Sequence, residues 1–70
     1  MSVNEEVLKS VAAATFLEAK LKEFEASCLF GDAGRVAAVE EDCRSALQGL
    51  LDAKAALAKA HIREARRNNR

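Results

Sequence analysis

The chain has 70 residues and no proline, and its 11 basic side chains balance 11 acidic ones. A chain this short forms one domain at most, whose core supplies only about 3 to 5 kcal/mol of stability unless something reinforces it. The neutral balance excludes bulk attraction to nucleic acid, and no apolar run approaches the roughly 20 residues that span a bilayer. Two cysteines and no recognisable leader predict a reducing, cytoplasmic setting without membrane association.

The first predicted element is a helix over residues 3–30. Ser2 and Glu5 have the spacing of a capping box, which favours a helix start at this point. Glu18 and Lys22 are four residues apart in the orientation that stabilises a helix. Apolar and small residues recur at alternating intervals of four and three, which indicates one packing seam. The predicted seam residues are Val3, Val7, Ser10, Ala14, Leu17, Leu21, Phe24 and Cys28.

A turn at residues 31–32 and a second helix over about 33–66 follow, with a frayed basic tail at 67–70. Gly31 suits the left-handed conformation that often ends a helix, and Asp32 suits the N-cap of the next one. The second helix repeats the spacing of three and four. Its predicted seam consists of Val36, Val39, Cys43, Ala46, Leu50, Ala53, Leu57 and Ala60.

Two seams of equal length joined by a short turn predict an all-α fold, an antiparallel two-helix hairpin. Folding about the turn pairs positions whose numbers add to 63 or 64. Large side chains then meet small or medium ones, as in Phe24 against Val39 and Leu17 against Ala46. Such interdigitation is what close packing requires, so the register supports the hairpin.

A second apolar stripe runs along the second helix and consists of Leu47, Leu51, Ala58 and Ile62. One neighbouring helix cannot cover both the seam and this stripe. We therefore predict a homodimer, in which two hairpins form a four-helix bundle, and we count the stripe among the partner-binding residues. A helix-in-groove contact with a different protein is the competing solution. Gly49, beside the seam, is predicted to mark a close approach of two helices.

Residue types that carry catalysis or bind metals do not form a constellation in this sequence. His61 is the only histidine, and it lacks the arrangement that would orient it as a general base. Cys28 and Cys43 lie more than a helical turn apart in the hairpin register, so they are interpreted as two buried thiols without a disulfide or zinc. Glu40 and Arg44 form a solvated pair. We expect no enzyme activity, no metal and no cofactor.

The last part of the second helix is cationic. Lys59, Arg63, Arg66 and Arg67 are opposed only by Glu64 among the residues near them. The three arginines share one helix face, where like charges repel each other, so we predict that they contribute to partner recognition more than to folding. A solvated tail that favours the negative end of a helix is the simpler interpretation, and phosphate binding is a further one.

Residues 43–62, with the sequence CRSALQGLLDAKAALAKAHI, resemble the second helix of the small anti-quorum-sensing proteins of Mu-like Pseudomonas phages. The resemblance implies a two-helix dimer that is made early in infection. It further implies binding to a host LuxR-type transcription regulator, whose DNA binding the dimer blocks. No motif outside this helix matches, so no binding residue is carried over from the family.

These patterns together predict a non-enzymatic protein-binding module, such as an inhibitor of a host protein. Two other functions stay open at this point. The basic end of two subunits could converge on phosphates and bind nucleic acid or a nucleotide, and salt dependence would then be steep. Alternatively, the hairpin could be a structural subunit that assembles beyond a dimer.

Overall fold

A computed structural model describes residues 3–68 of the chain. It has two helices, α1 (Val3–Phe30) and α2 (Ala33–Asn68), which lie antiparallel in a rod of 58 × 14 × 13 Å. The predicted all-α hairpin is confirmed, and no strand occurs within residues 3–68. Helix α2 continues two residues beyond the predicted end at residue 66. Ser2 of the predicted capping box and residues 69–70 lie outside the described residues.

The turn has the predicted chemistry. Gly31 adopts a φ of 70°, and its amide donates to the carbonyl of Ser27 at 3.2 Å, which closes the end of α1. Asp32 caps α2, because its carboxylate accepts a hydrogen bond from the Arg35 amide at 3.2 Å while its carbonyl accepts from Val36 at 2.9 Å. Two short-range motifs thus reverse the chain within two residues.

The predicted seam of α2 is confirmed, since each of its residues is buried or half-buried. Val39, Ala46 and Ala60 are the buried apolar residues among residues 3–68. The register also agrees with the prediction, because the Cys43 thiol donates to the carbonyl of Lys20 at 3.3 Å. A methyl group added to Gly49 would meet no atom within 4 Å, so the predicted close approach does not occur between α1 and α2.

The predicted seam of α1 is only half right. Val3, Ser10, Leu17 and Phe24 are buried or half-buried as expected. The other four seam positions of α1 lie one residue earlier than predicted. The residues found there are Glu6, Ala13, Lys20 and Ser27, whereas Val7, Ala14, Leu21 and Cys28 are exposed.

Compared with the predicted seam, α1 is therefore rotated about its axis. Lys20 and Ser27 can occupy the seam in this rotation because their polar groups find partners. The stem of Lys20 lies in the seam with its side chain 24% exposed, and its ammonium lies 3.3 Å from Glu23 and 3.8 Å from Asp42. A lysine can bury its stem in this way while the charge keeps its partners. The Ser27 hydroxyl donates to the carbonyl of Phe24 at 2.8 Å, so it is satisfied although buried.

Two buried polar groups near the start of α1 are less well satisfied. Glu6 is 2% exposed, and its Oε1 accepts no hydrogen bond, although the ammonium of Lys9 lies 3.9 Å away. The Ser10 hydroxyl is also buried without a hydrogen-bond partner. Unsatisfied buried polar atoms cost stability, so this part of the seam contributes less than its burial suggests.

Candidate interaction surfaces

An open apolar groove runs between the helices on one side of the hairpin, with a volume of about 360 Å³. Its residues come from the middle of both helices. They are Leu17, Leu21, Phe24, Glu40, Cys43, Arg44 and Leu47. We call this side of the hairpin the groove face.

Apolar side chains form most of the groove. Leu17, Phe24 and Cys43 are half-buried at its base, while Leu21 and Leu47 remain 45% and 48% exposed at its edges. The groove exists because α1 is rotated relative to the predicted seam, which leaves Leu21 beside the contact line instead of within it. Large side chains that would fill an ordinary core are therefore accessible to a partner.

A charged pair borders the groove on α2. The Arg44 guanidinium donates to the Glu40 carboxylate at 2.8 Å, as predicted from their spacing. The hydrogen bond with Glu40 and the attraction of its charge raise the pKa of Arg44 above its already high value. Arg44 therefore offers a permanent positive charge at the edge of an apolar surface.

The predicted partner-binding stripe of α2 is exposed along its length. Leu47 borders the groove, while Leu51 and Ile62 are 55% and 52% exposed further along the helix. Ala58 is exposed between them. No contact of the hairpin itself uses this stripe as a core, and its role in binding stays a prediction.

Helix α1 carries an apolar surface that the sequence reasoning missed. Val7, Leu8 and Val11 are exposed in its first half, next to the buried seam residues Glu6 and Ser10. This surface was not predicted, because Val7 was expected to be buried in the seam. The signal was present in the sequence, because Leu8 and Val11 are large apolar residues that no predicted contact used.

The last turns of α2 extend beyond the end of the seam. We call residues 61–68 the basic overhang, and all of them are exposed. Arg63, Arg66 and Arg67 lie on this continuous helical segment, and the Arg67 guanidinium lies 3.8 Å from the Glu64 carboxylate. The three arginines that were predicted to bind the partner thus lie close together on one exposed helical segment.

The remaining chemistry-bearing side chains are dispersed. His61 is exposed, Cys43 is half-buried and Cys28 is exposed, so the prediction that both thiols are buried is wrong for Cys28. The rotation of α1 turns Cys28 away from the seam. Within residues 3–68, no group of three histidine, cysteine or acidic side chains could hold a metal ion. Neither helix, over the residues described, has an apolar stretch long enough for a membrane span.

Comparison with known proteins identified no match. No protein-family model, no curated protein and no solved structure matches the chain.

Proposed function

We propose that this chain is a non-enzymatic, self-associating hairpin that binds another protein in the cytoplasm. The observation that carries the proposal is the groove face, where Leu17, Leu21, Phe24 and Leu47 line an open apolar surface. No leucine or phenylalanine is buried among residues 3–68. Exposed apolar patches of this kind typically mark interaction sites.

The amount of exposed surface supports self-association. The chain exposes 5327 Å², whereas a compact monomer of 7.6 kDa exposes only about 4300 Å². The excess of about 1000 Å² is similar to the roughly 800 Å² that each partner loses in a standard interface. A second hairpin would cover apolar surface that the single hairpin cannot bury.

The basic overhang supports recognition of an acidic partner. Arg63, Arg66 and Arg67 contribute no seam contact, and their mutual repulsion is offset in part by Glu64. An acidic protein surface would relieve this repulsion on binding and would increase the association rate. The resemblance of residues 43–62 makes a LuxR-type transcription regulator the first partner to test, with inhibition of its DNA binding as the expected effect.

The test is capture of such a regulator by the immobilised hairpin at physiological salt. We expect wild-type hairpin to retain the regulator and to lower its affinity for its DNA site. The variant Arg63→Gln/Arg66→Gln/Arg67→Gln should retain much less. A control with the same net charge is Lys22→Gln/Arg35→Gln/Lys54→Gln, which leaves the overhang intact and should bind like wild type. Equal retention by both triple variants would assign recognition to the apolar stripe instead.

Nucleic-acid binding is the second candidate, and the basic overhang is the observation that favours it. Lys59 and the arginines of the overhang are exposed on one end of the rod. Binding to a labelled DNA duplex should then weaken steeply as salt rises, because each neutralised phosphate releases counterions. A protein contact through apolar side chains should change little over the same range. Absence of duplex binding at low salt would eliminate this candidate.

A further inference from the structure

Each helix carries a row of exposed residues, spaced by seven, along the outer edge of the groove face. The row of α1 contains Asn4, Val11, Glu18 and Glu25. The row of α2 contains Ala37, Arg44, Leu51 and Ala58. Each row residue comes directly after a seam residue of its own helix. In two antiparallel helices the same offset places both rows on one side of the hairpin. This is the side on which the groove opens, because Arg44 lines the groove.

The hairpin register gives the height of each row residue along the rod. Positions whose numbers add to about 63 lie at the same height, as the contact between Lys20 and Cys43 shows. Val11 therefore lies at nearly the height of Leu51, and Glu18 at nearly the height of Arg44. Each pair is level to within about two residues, or roughly 3 Å.

We propose that a second copy of this chain covers the groove face with its turn at the same end, so that each α1 packs antiparallel against α2 of the second copy. In this arrangement the rows match. Val11 meets Leu51 of the second copy, and Glu18 meets its Arg44. The proposal rests on the self-association argued above and specifies which face and which orientation it uses.

Net charge favours this orientation over its alternative. Helix α1 has five acidic and three basic residues, whereas α2 has five acidic and seven basic ones. With the turns at the same end, acidic α1 lies beside basic α2 of the second copy. With the turns at opposite ends and antiparallel neighbours, α1 lies beside α1 and α2 beside α2, so like charges face each other. Complementary charge selects register and orientation in helical bundles.

The orientation has a consequence for recognition. Both basic overhangs emerge from the bundle at the end opposite the turns, since each continues α2 beyond the end of the seam. Arg63, Arg66 and Arg67 of two copies then form one cationic surface. A single acidic partner could contact both overhangs at once, which raises affinity without a new type of contact.

A charge exchange tests the pairing of the rows. Glu18→Arg and Arg44→Glu should each weaken the dimer about fivefold or more, measured by sedimentation equilibrium. The double variant should recover most of the lost affinity. Within one chain, each single change breaks a different pair, Glu18 with Lys22 or Glu40 with Arg44. Losses within the chain would therefore add in the double variant, and only contact between copies restores binding.

Lys22→Glu is the matched control, because it breaks the same pair within α1 without placing a new charge on the row. We expect it to leave the dimer affinity within about twofold, in keeping with the small effect of exposed ion pairs. Additive weakening in the Glu18→Arg/Arg44→Glu variant would overturn the proposed pairing.

A distance measurement tests the orientation directly. A spin label at Asn68→Cys, in a Cys28→Ser/Cys43→Ala background, reports the separation of the two overhangs. Turns at the same end should give about 30 Å or less, because the helices of a bundle lie about 10 Å apart. Turns at opposite ends should give about 50 Å or more, since α2 alone is about 54 Å long. A long distance would overturn the orientation while leaving self-association standing, and a monomer in sedimentation would overturn both.

Discussion

The part of α2 that forms the seam and the basic overhang belong to one continuous helix, but only the first part packs against α1. Along the seam, α2 buries Val39, Ala46 and Ala60 against α1, whereas residues 61–68 are exposed throughout. Folding therefore depends on the seam, and the overhang is available for other contacts. A substitution should affect stability in the first region and recognition in the second.

The two sides of the seam also differ from each other. The α2 side is apolar throughout, while the α1 side includes Glu6, Ser10, Lys20 and Ser27. Leu17 and Phe24 also belong to the seam, whereas Val7, Val11 and Leu21 are exposed outside it. Polar residues at half of the α1 seam positions still allow the helices to fold back, but they leave much of the apolar surface of α1 for a second interface.

The largest expected effect on stability follows from shortening a side chain that belongs to both the seam and the groove. Leu17→Ala should lower the free energy of unfolding by about 2 kcal/mol or more, because it removes methyl groups that pack in the seam. Urea unfolding followed by circular dichroism measures the change. Leu29→Ala is the control, since Leu29 is 87% exposed and its loss should change stability by less than about 0.5 kcal/mol. Equal effects of the two substitutions would contradict the burial pattern.

An apolar residue at the poorest contact of the seam should increase stability. Glu6→Met removes a buried carboxylate oxygen that accepts no hydrogen bond, and it keeps a long flexible side chain. We expect a gain of about 1 to 3 kcal/mol in the free energy of unfolding, as in other replacements of poorly paired buried charges. Thermal unfolding at fixed protein concentration measures it. A lower melting temperature would indicate that the carboxylate has a partner in the assembled protein.

The turn should contribute an intermediate effect. Asp32→Ala removes the acceptor for the Arg35 amide and should lower the free energy of unfolding by about 0.5 to 2 kcal/mol. Asp32→Asn retains an oxygen that can accept the same hydrogen bond, so it should stay close to wild type. The comparison requires chemical denaturation of both variants at one concentration. Similar losses for alanine and asparagine would show that the cap is not the source of the effect.

The smallest effect on folding is expected in the overhang. The variant Arg63→Gln/Arg66→Gln/Arg67→Gln should melt within a few degrees of wild type or slightly higher, because it relieves like-charge repulsion at the cost of one exposed ion pair. Calorimetry measures the shift. A loss comparable to that of Leu17→Ala would mean that the overhang is buried in the assembled protein, against the division between seam and overhang.

Much of the fold follows from local sequence patterns. The φ preference of glycine at Gly31, the capping oxygen of Asp32 and the repeat of α2 are short-range properties, and the structure has each of them. The exposed arginines and the α2 stripe could also be placed on a helix face from spacing alone. The binding partners of the arginines and of the stripe do not follow from spacing, because they belong to other chains.

The rotation of α1 was decided by tertiary structure alone. Val3, Ser10, Leu17 and Phe24 recur every seven residues, and they fit a seam whether the alternate position lies one residue earlier or later. Hydropathy favours the later set, which includes Leu21. The structure uses the earlier set, in which Lys20 reaches Asp42 across the hairpin. The sequence by itself determined two helices, their turn and the side of α2 that is buried, because these depend on local conformation and periodicity. The groove face exists only because the helices met at one particular rotation, which depends on packing and charge between residues distant in the chain.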